Sequence, residues 1–95
     1  MKQEDNVIYV GKKPISNYLT AVTLQLAVKD KKQVEINARG KYISKAVDVA
    51  EVIRNRFVQE AKISKVEIGS EEIQNLKNNN GENVRVSTIK IVLSK

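Results

Sequence analysis

Gln33-Val34-Glu35-Ile36-Asn37-Ala38-Arg39-Gly40-Lys41-Tyr42-Ile43-Ser44-Lys45-Ala46-Val47 contains the change of period that decides the fold. Up to Arg39, the apolar Val34, Ile36 and Ala38 alternate with Gln33, Glu35, Asn37 and Arg39. A two-residue repeat of this kind is that of a strand with one buried face. Gly40 ends it. Beyond the glycine, Ile43, Ala46, Val47, Ala50, Ile53 and Phe57 fall on one helical face, which predicts a helix from about Lys41 to Phe57.

Upstream, Val7-Ile8-Tyr9-Val10 is a β-branched and aromatic run stopped by Gly11, hence a short strand. Pro14 is suited to the first position of a helix, where its missing N–H costs nothing. Ile15, Leu19, Val22 and Leu26 then recur on one face, widened by Tyr18, Ala21 and Val28, so residues 14–29 are predicted helical. Lys29, Lys31 and Lys32 place cations at the negative end of its dipole. Downstream, Ile63, Val66 and Ile68 open a third strand that runs through Ile73. Asn78-Asn79-Asn80-Gly81 carries an Asn-Gly turn signal, and Val84 to Leu93 forms a fourth strand. In that strand Val84 and Val86 are out of phase with Ile89, Ile91 and Leu93, which implies a bulge near Ser87-Thr88 or an arm leaving the sheet. The order βαβαββ predicts an α+β fold in two layers.

A length of 95 residues predicts one domain over 1–95. With no Trp and one Phe, the core must rest on Val, Ile, Leu and Ala. The absence of Cys removes thiol nucleophiles and zinc-thiolate sites, and the absence of His removes the commonest neutral-pH base and metal ligand. No paired acids or phosphate-cradling glycine loop appear. Gly11-Lys12-Lys13 lacks the P-loop frame, and the adjacent Glu71 and Glu72 point to opposite faces of a strand. A non-enzyme without cofactor, metal or small-molecule substrate is expected. No signal-peptide core or membrane span is visible, so the chain reads as soluble and intracellular, with no membrane partner.

A net charge of +6 suits a polyanionic partner, and its placement sharpens the case. A helix N-terminus is partly positive and favours acids. Lys12 and Lys13 nevertheless precede Pro14, while the second helix begins amid Arg39, Lys41 and Lys45 with no acid before Asp48. Each misplaced cation costs about 0.3–1 kcal/mol, and a bound anion at free N–H groups would offset it. The bland alternative is lysines that merely keep the protein soluble. Between Ser70 and Asn83 the hairpin carries a net −2, leaving Arg85 near its base as a phosphate ligand. Core or rim packing is the better account of Tyr9 and Tyr18, whereas Tyr42, among basic residues, is as well placed to stack on a base.

Gly11-Lys12-Lys13-Pro14-Ile15-Ser16-Asn17-Tyr18, Ala38 to Asp48 (ARGKYISKAVD), Arg54-Asn55-Arg56-Phe57 and Arg85-Val86-Ser87-Thr88-Ile89 occur in order and with compatible spacing. Together they resemble Alba, the family of small archaeal chromatin proteins, from about Asn6 to Lys95. The resemblance implies a two-layer βαβαββ domain with a four-stranded mixed sheet, two helices on one face and an extended β-hairpin. The C-terminal domain of bacterial translation initiation factor 3 is similar. It also implies an architectural, chromosome-associated cytoplasmic protein that coats or compacts double-stranded DNA with little sequence preference and also binds RNA. The partner is a second copy or a paralogue. The family's central lysine pair falls on Lys12 and Lys13, and its basic segment on Arg39, Lys41 and Lys45. Arg54, Asn55 and Phe57 correspond to the region where dimers meet. Family arms carry arginine near the tip, whereas this tip reads Asn78-Asn79-Asn80-Gly81-Glu82-Asn83.

Three other functions compete. An RNA chaperone or ribonucleoprotein subunit would use the same basic surface, an enzyme would need a constellation that is absent, and a structural partner protein would have an incidental basic face. A homodimer is expected because Val49 and Val52 lie off the main stripe of the second helix. Phe57 is expected either between dimers or in its own core.

Overall fold

A computed structural model describes residues 6–74 and 83–95. The elements are β1 (Val7–Tyr9), α1 (Ile15–Thr23), β2 (Gln33–Arg39), α2 (Ile43–Val52), β3 (Lys62–Gln74) and β4 (Asn83–Ser94). The sheet order is β1-β2-β4-β3, with β1 parallel to β2 and the other pairs antiparallel. The predicted α+β architecture, with a four-stranded mixed sheet and two helices, is the observed one. The turn predicted at Asn78–Gly81, with the rest of the tip through Glu82, lies outside the described residues.

The buried side of β2 is Val34, Ile36 and Ala38, and Ile91 and Leu93 of β4 join it. Val22 and Leu26 from the first helical segment pack on this face with Ala46, Val49, Ala50 and Ile53 from the second. The core face of α2 is therefore Ala46, Val49, Ala50 and Ile53, a tighter i, i+3, i+4, i+7 set than the sequence suggested. Val49 is fully buried in its own subunit, so it offers nothing to a second copy. Val47 and Phe57, assigned to the core stripe, are instead 40% and 54% exposed.

Both helices end in a wide turn, Leu24–Val28 after α1 and Ile53–Phe57 after α2. Lys29 N–H bonds to the Leu24 carbonyl at 2.9 Å and Val58 N–H to the Ile53 carbonyl at 2.7 Å, each five residues back. Asp30 then takes a left-handed conformation (φ 55°), a common way to end a helix. Lys95 supplies a cation at this end: its Nζ donates to the Leu26 carbonyl and lies 2.6 Å from Asp30 Oδ1. Its ammonium holds the Asp30 carboxyl below the usual carboxylate range, chiefly by that hydrogen bond.

The phase change in β4 marks an arm, not a bulge. Thr88, Ser87 and Val86 pair without interruption with Gly69, Ser70 and Glu71. Ile89, Ile91 and Leu93 face the helices, while Val84, beyond the helix layer, lies 42% exposed. The irregularity lies on β3 between Ile63 and Lys65, where the Ser64 hydroxyl donates to the Val92 carbonyl at 3.2 Å.

Candidate nucleic-acid interface

The loop from Gly11 to Lys13 joins β1 to α1 and is held by two side chains from different helices. The Tyr18 hydroxyl accepts the N–H of Gly11 at 2.8 Å and that of Lys13 at 3.2 Å. Lys45, on α2, donates its ammonium to the carbonyls of Gly11 and Lys13 at 2.7 and 2.8 Å. Four backbone groups of a short loop are thereby satisfied, and the Lys12 and Lys13 side chains are left exposed. Neither lysine has a carboxylate partner among the described residues.

Both helix starts lack a side-chain cap and an acid in the first turn. Pro14 occupies the cap position of α1 rather than its first helical position. Between β2 and α2, Gly40 takes φ +59°, a left-handed conformation that favours glycine, and a single tight turn spans Gly40–Tyr42. That turn carries Lys41 and Tyr42 toward the loop. The ammonium groups of Lys41 and Lys45 lie 5.5 and 5.4 Å from the Tyr42 ring centroid, and Lys45 is also 5.8 Å from that of Tyr18.

Lys12, Lys13, Arg39 and Tyr42 line one groove of about 930 Å³, and the Lys45 ammonium is fixed to its loop. Arg85 stands apart, on the arm. Lys45, expected as a phosphate ligand, has its ammonium committed to backbone carbonyls, so it positions the loop while adding positive potential. Tyr18 packs in the core as expected, at 8% exposure, but its hydroxyl has the further loop-holding role that the sequence reading missed. The sequence signal was a phenol in the first turn of α1, just after the lysine pair. Tyr9, expected to pack, is 67% exposed.

The two arginines have acidic company. Arg39 Nη1 lies 2.6 Å from Glu71 Oε1, and Arg85 Nη2 lies 3.4 Å from Glu72 Oε1. Arg39 is opposite Thr88, which is opposite Gly69, so the Arg39–Glu71 pair spans β4. A Cβ at Gly69 would come 3.2 Å from Thr88 Oγ1, a crowded contact in the row that Arg39 crosses.

Arg54 is bound to Glu51 through two hydrogen bonds of 2.6 and 3.0 Å, which hold the Glu51 carboxyl below its usual range. Asn55 is exposed, and Val52 is partly exposed. Phe57 borders a shallow groove of about 320 Å³ with Leu19, Thr20, Thr23, Leu24 and Val28, which excludes burial in its own core. Among the described residues, no group of three or more acids could hold a metal ion, and no helix is long and apolar enough to cross a membrane.

The Alba family model matches residues 6–70. The chain is 46% identical over 92 residues to the DNA/RNA-binding protein Alba of Picrophilus torridus, covering 97% of this chain and 98% of that one. The chain belongs to the Alba family. The Alba of Methanococcus maripaludis is 43% identical over 91 residues, covering 96% and 99% of the two chains. The solved structure of Alba from Thermoplasma volcanium superposes with a TM-score of 0.86 at 42% identity, over 95% of this chain and 100% of that one. ALBA1 from Trypanosoma brucei shares the Alba fold at a TM-score of 0.74 and 20% identity, over 99% and 72%.

Proposed function

We propose that this chain coats double-stranded DNA as a dimer, with little sequence preference, and takes RNA on the same surface. The observation that carries this is the Gly11–Lys13 loop, fixed from within by Tyr18 and Lys45, which leaves exposed two lysines with no ion-pair partner among the described residues. Two helix starts without acids flank them and add the positive ends of their dipoles. Contacts of this type neutralise phosphate and release counterions, and they read no bases. The DNA/RNA-binding names of the relatives support the same assignment. The setting that suits it is the chromosome, in the cytoplasm, and the function is binding without catalysis.

The dimer rests on β3. Ile63, Val66 and Ile68 pair with Leu93, Ile91 and Ile89, so they share the helix-side face of the sheet. The helices do not reach them, and they are 40%, 53% and 83% exposed, with Val47 of α2 at 40%. A contiguous apolar strip of this kind marks an association surface. A second copy or a paralogue seated there would double the number of lysine loops on one particle. Ile68→Asp should shift sedimentation from dimer to monomer.

Affinity for unrelated duplexes, measured at several salt concentrations, tests the phosphate assignment. Lys12→Ala with Lys13→Ala should weaken all duplexes alike and flatten the slope of log K against log salt by about 0.9 per lost contact. Weaker binding with an unchanged slope would overturn it. Competition between duplex DNA and structured RNA at one salt concentration ranks the two ligands.

A further inference from the structure

Both helices pack on one side of the sheet, and among the described residues no helix covers the other side, although Val92 there is 7% exposed. Pairing places Tyr9, Asn37, Lys90 and Glu67 in one row across that second side. At the end of the row stands Tyr9, 67% exposed, on the outermost strand. It lines the same groove as Lys12 and Lys13.

The three tyrosines at this groove have different commitments. Tyr18 is buried, with its hydroxyl on two backbone N–H groups. Tyr42 carries two ammonium groups near its ring. Among the described residues, Tyr9 has neither a hydrogen bond nor a cation over its ring. Lys12 follows three residues later, within about 10 Å along the chain. Asn37 is one strand away, about 4.8 Å, and gives one N–H to Glu35 at 2.8 Å.

We propose that Tyr9 is a stacking platform for an unpaired nucleobase, so that single-stranded RNA or DNA threads the groove with a phosphate at the lysine pair. This rests on the nucleic-acid assignment above and extends it to a second class of ligand. A base inside a duplex has both faces covered by its neighbours and cannot lie on the ring. An unpaired base can, and stacking tolerates any base because each has a π-face. The Asn37 amide adds a donor and an acceptor beside the edge of such a base. The charge fits as well. A single strand alone would gain little from one ring, but here the ring shares its groove with two lysines that have no carboxylate partner among the described residues, although Glu67 and Glu71 also line it.

The competing account is that tyrosine at position 9 is simply a good strand former. Tyr9→Thr keeps strand propensity and removes the ring, Tyr9→Phe keeps the ring, and Tyr9→Trp adds a reporter to a chain that has no Trp. Each is titrated with oligo(U), oligo(dT) and a blunt DNA duplex at one salt concentration, with melting temperature measured alongside. Tyr9→Thr should weaken both single strands by roughly tenfold, near the low end of what one base–aromatic stack is worth, and leave duplex affinity unchanged. Tyr9→Phe should retain single-strand binding. The indole emission of the Tyr9→Trp protein should be quenched by oligo(U) and oligo(dT) but not by the blunt duplex. A larger effect on oligo(U) than on oligo(dT) would assign the site to RNA, and equal effects to either strand. Equal losses on single strands and duplex, or no loss and no quenching, would overturn the platform. The Lys12→Ala, Lys13→Ala protein separates the two failures, because unchanged duplex binding there breaks the nucleic-acid assignment whatever Tyr9 does.

Discussion

Lys12 and Lys13 stand on a loop pinned by hydrogen bonds to four backbone groups of Gly11 and Lys13, while Arg39 and Arg85 each meet a glutamate of the arm. The loop presents its cations ready-made. Phosphate that binds there displaces only counterions, and the loop has no ordering left to do. At the arm, phosphate must first displace Glu71 or Glu72 from an exposed pair. Such pairs are worth about 0–1 kcal/mol, so the exchange is easy but its net gain is small. Two regions with the same number of cations therefore differ in what each cation delivers, and the difference lies in the neighbours rather than in the cations.

Lys45→Ala is the strongest way to break this comparison, because it removes a charge and both carbonyl bonds of the loop. Hydrogen bonds to charged groups are worth about 1.5–3 kcal/mol, so melting should show a loss of that order and duplex affinity should fall by roughly tenfold or more. An unchanged melting temperature would mean that the loop keeps its shape unaided. Tyr18→Phe is milder: two N–H groups lose an acceptor, with water able to reach a half-buried loop. Stability should drop by about 1 kcal/mol and affinity by a few-fold, read by thermal melting and duplex titration.

The arm should respond with the opposite sign. Glu71→Gln and Glu72→Gln release Arg39 and Arg85 and remove a negative charge each, so duplex affinity should rise a few-fold and the salt dependence should steepen. A fall in affinity would mean that these glutamates hold the arginines in place for phosphate. The smallest effect concerns Asp30, away from both regions. Its pKa is lowered in the folded state, chiefly by Lys95. That carboxylate stabilises the fold above its unfolded value of about 3.9, and the contribution is lost as pH falls through the lower folded value. Asp30→Asn should therefore lower the melting temperature slightly at neutral pH and leave no difference in strong acid.

The legible and illegible parts of the molecule divide by range. The alternation of Val34, Ile36 and Ala38 needs only neighbouring residues, and β2 forms where the sequence puts it. A cation at a helix start is likewise a local anomaly, and Lys12 and Lys13 are exposed just before α1. Tyr18 and Lys45 were harder. The role of Lys45 depends on a contact 34 residues away in sequence. Tyr18 reaches only seven and five residues back, but a tyrosine with a buried ring gives no sign of where its hydroxyl goes. The rotated core face of α2 failed similarly. Val47 and Val49 are chemically identical, and only the position of β2 and β4 beneath the helix tells which is inside. On β3, the sequence places Ile63, Val66 and Ile68 in a strand but gives no sign that the helices end short of it and leave Ile68 in solvent.

The place of β4 in the sheet bears on how the chain reaches this state. It comes last among the elements in chain order, yet lies between β2 and β3. The β3–β4 hairpin can form early from neighbouring segments, but β2 waits for a partner that lies more than fifty residues downstream in the register Ile36–Ile91. Until that pairing closes, α1 and α2 have only half a sheet to rest on, and Leu93 is missing from the core. Folding should thus be slow for so small a domain, with its barrier set by the search for one distant strand. On the ribosome, the growing chain would hold its apolar helix faces only partly covered until β4 emerges.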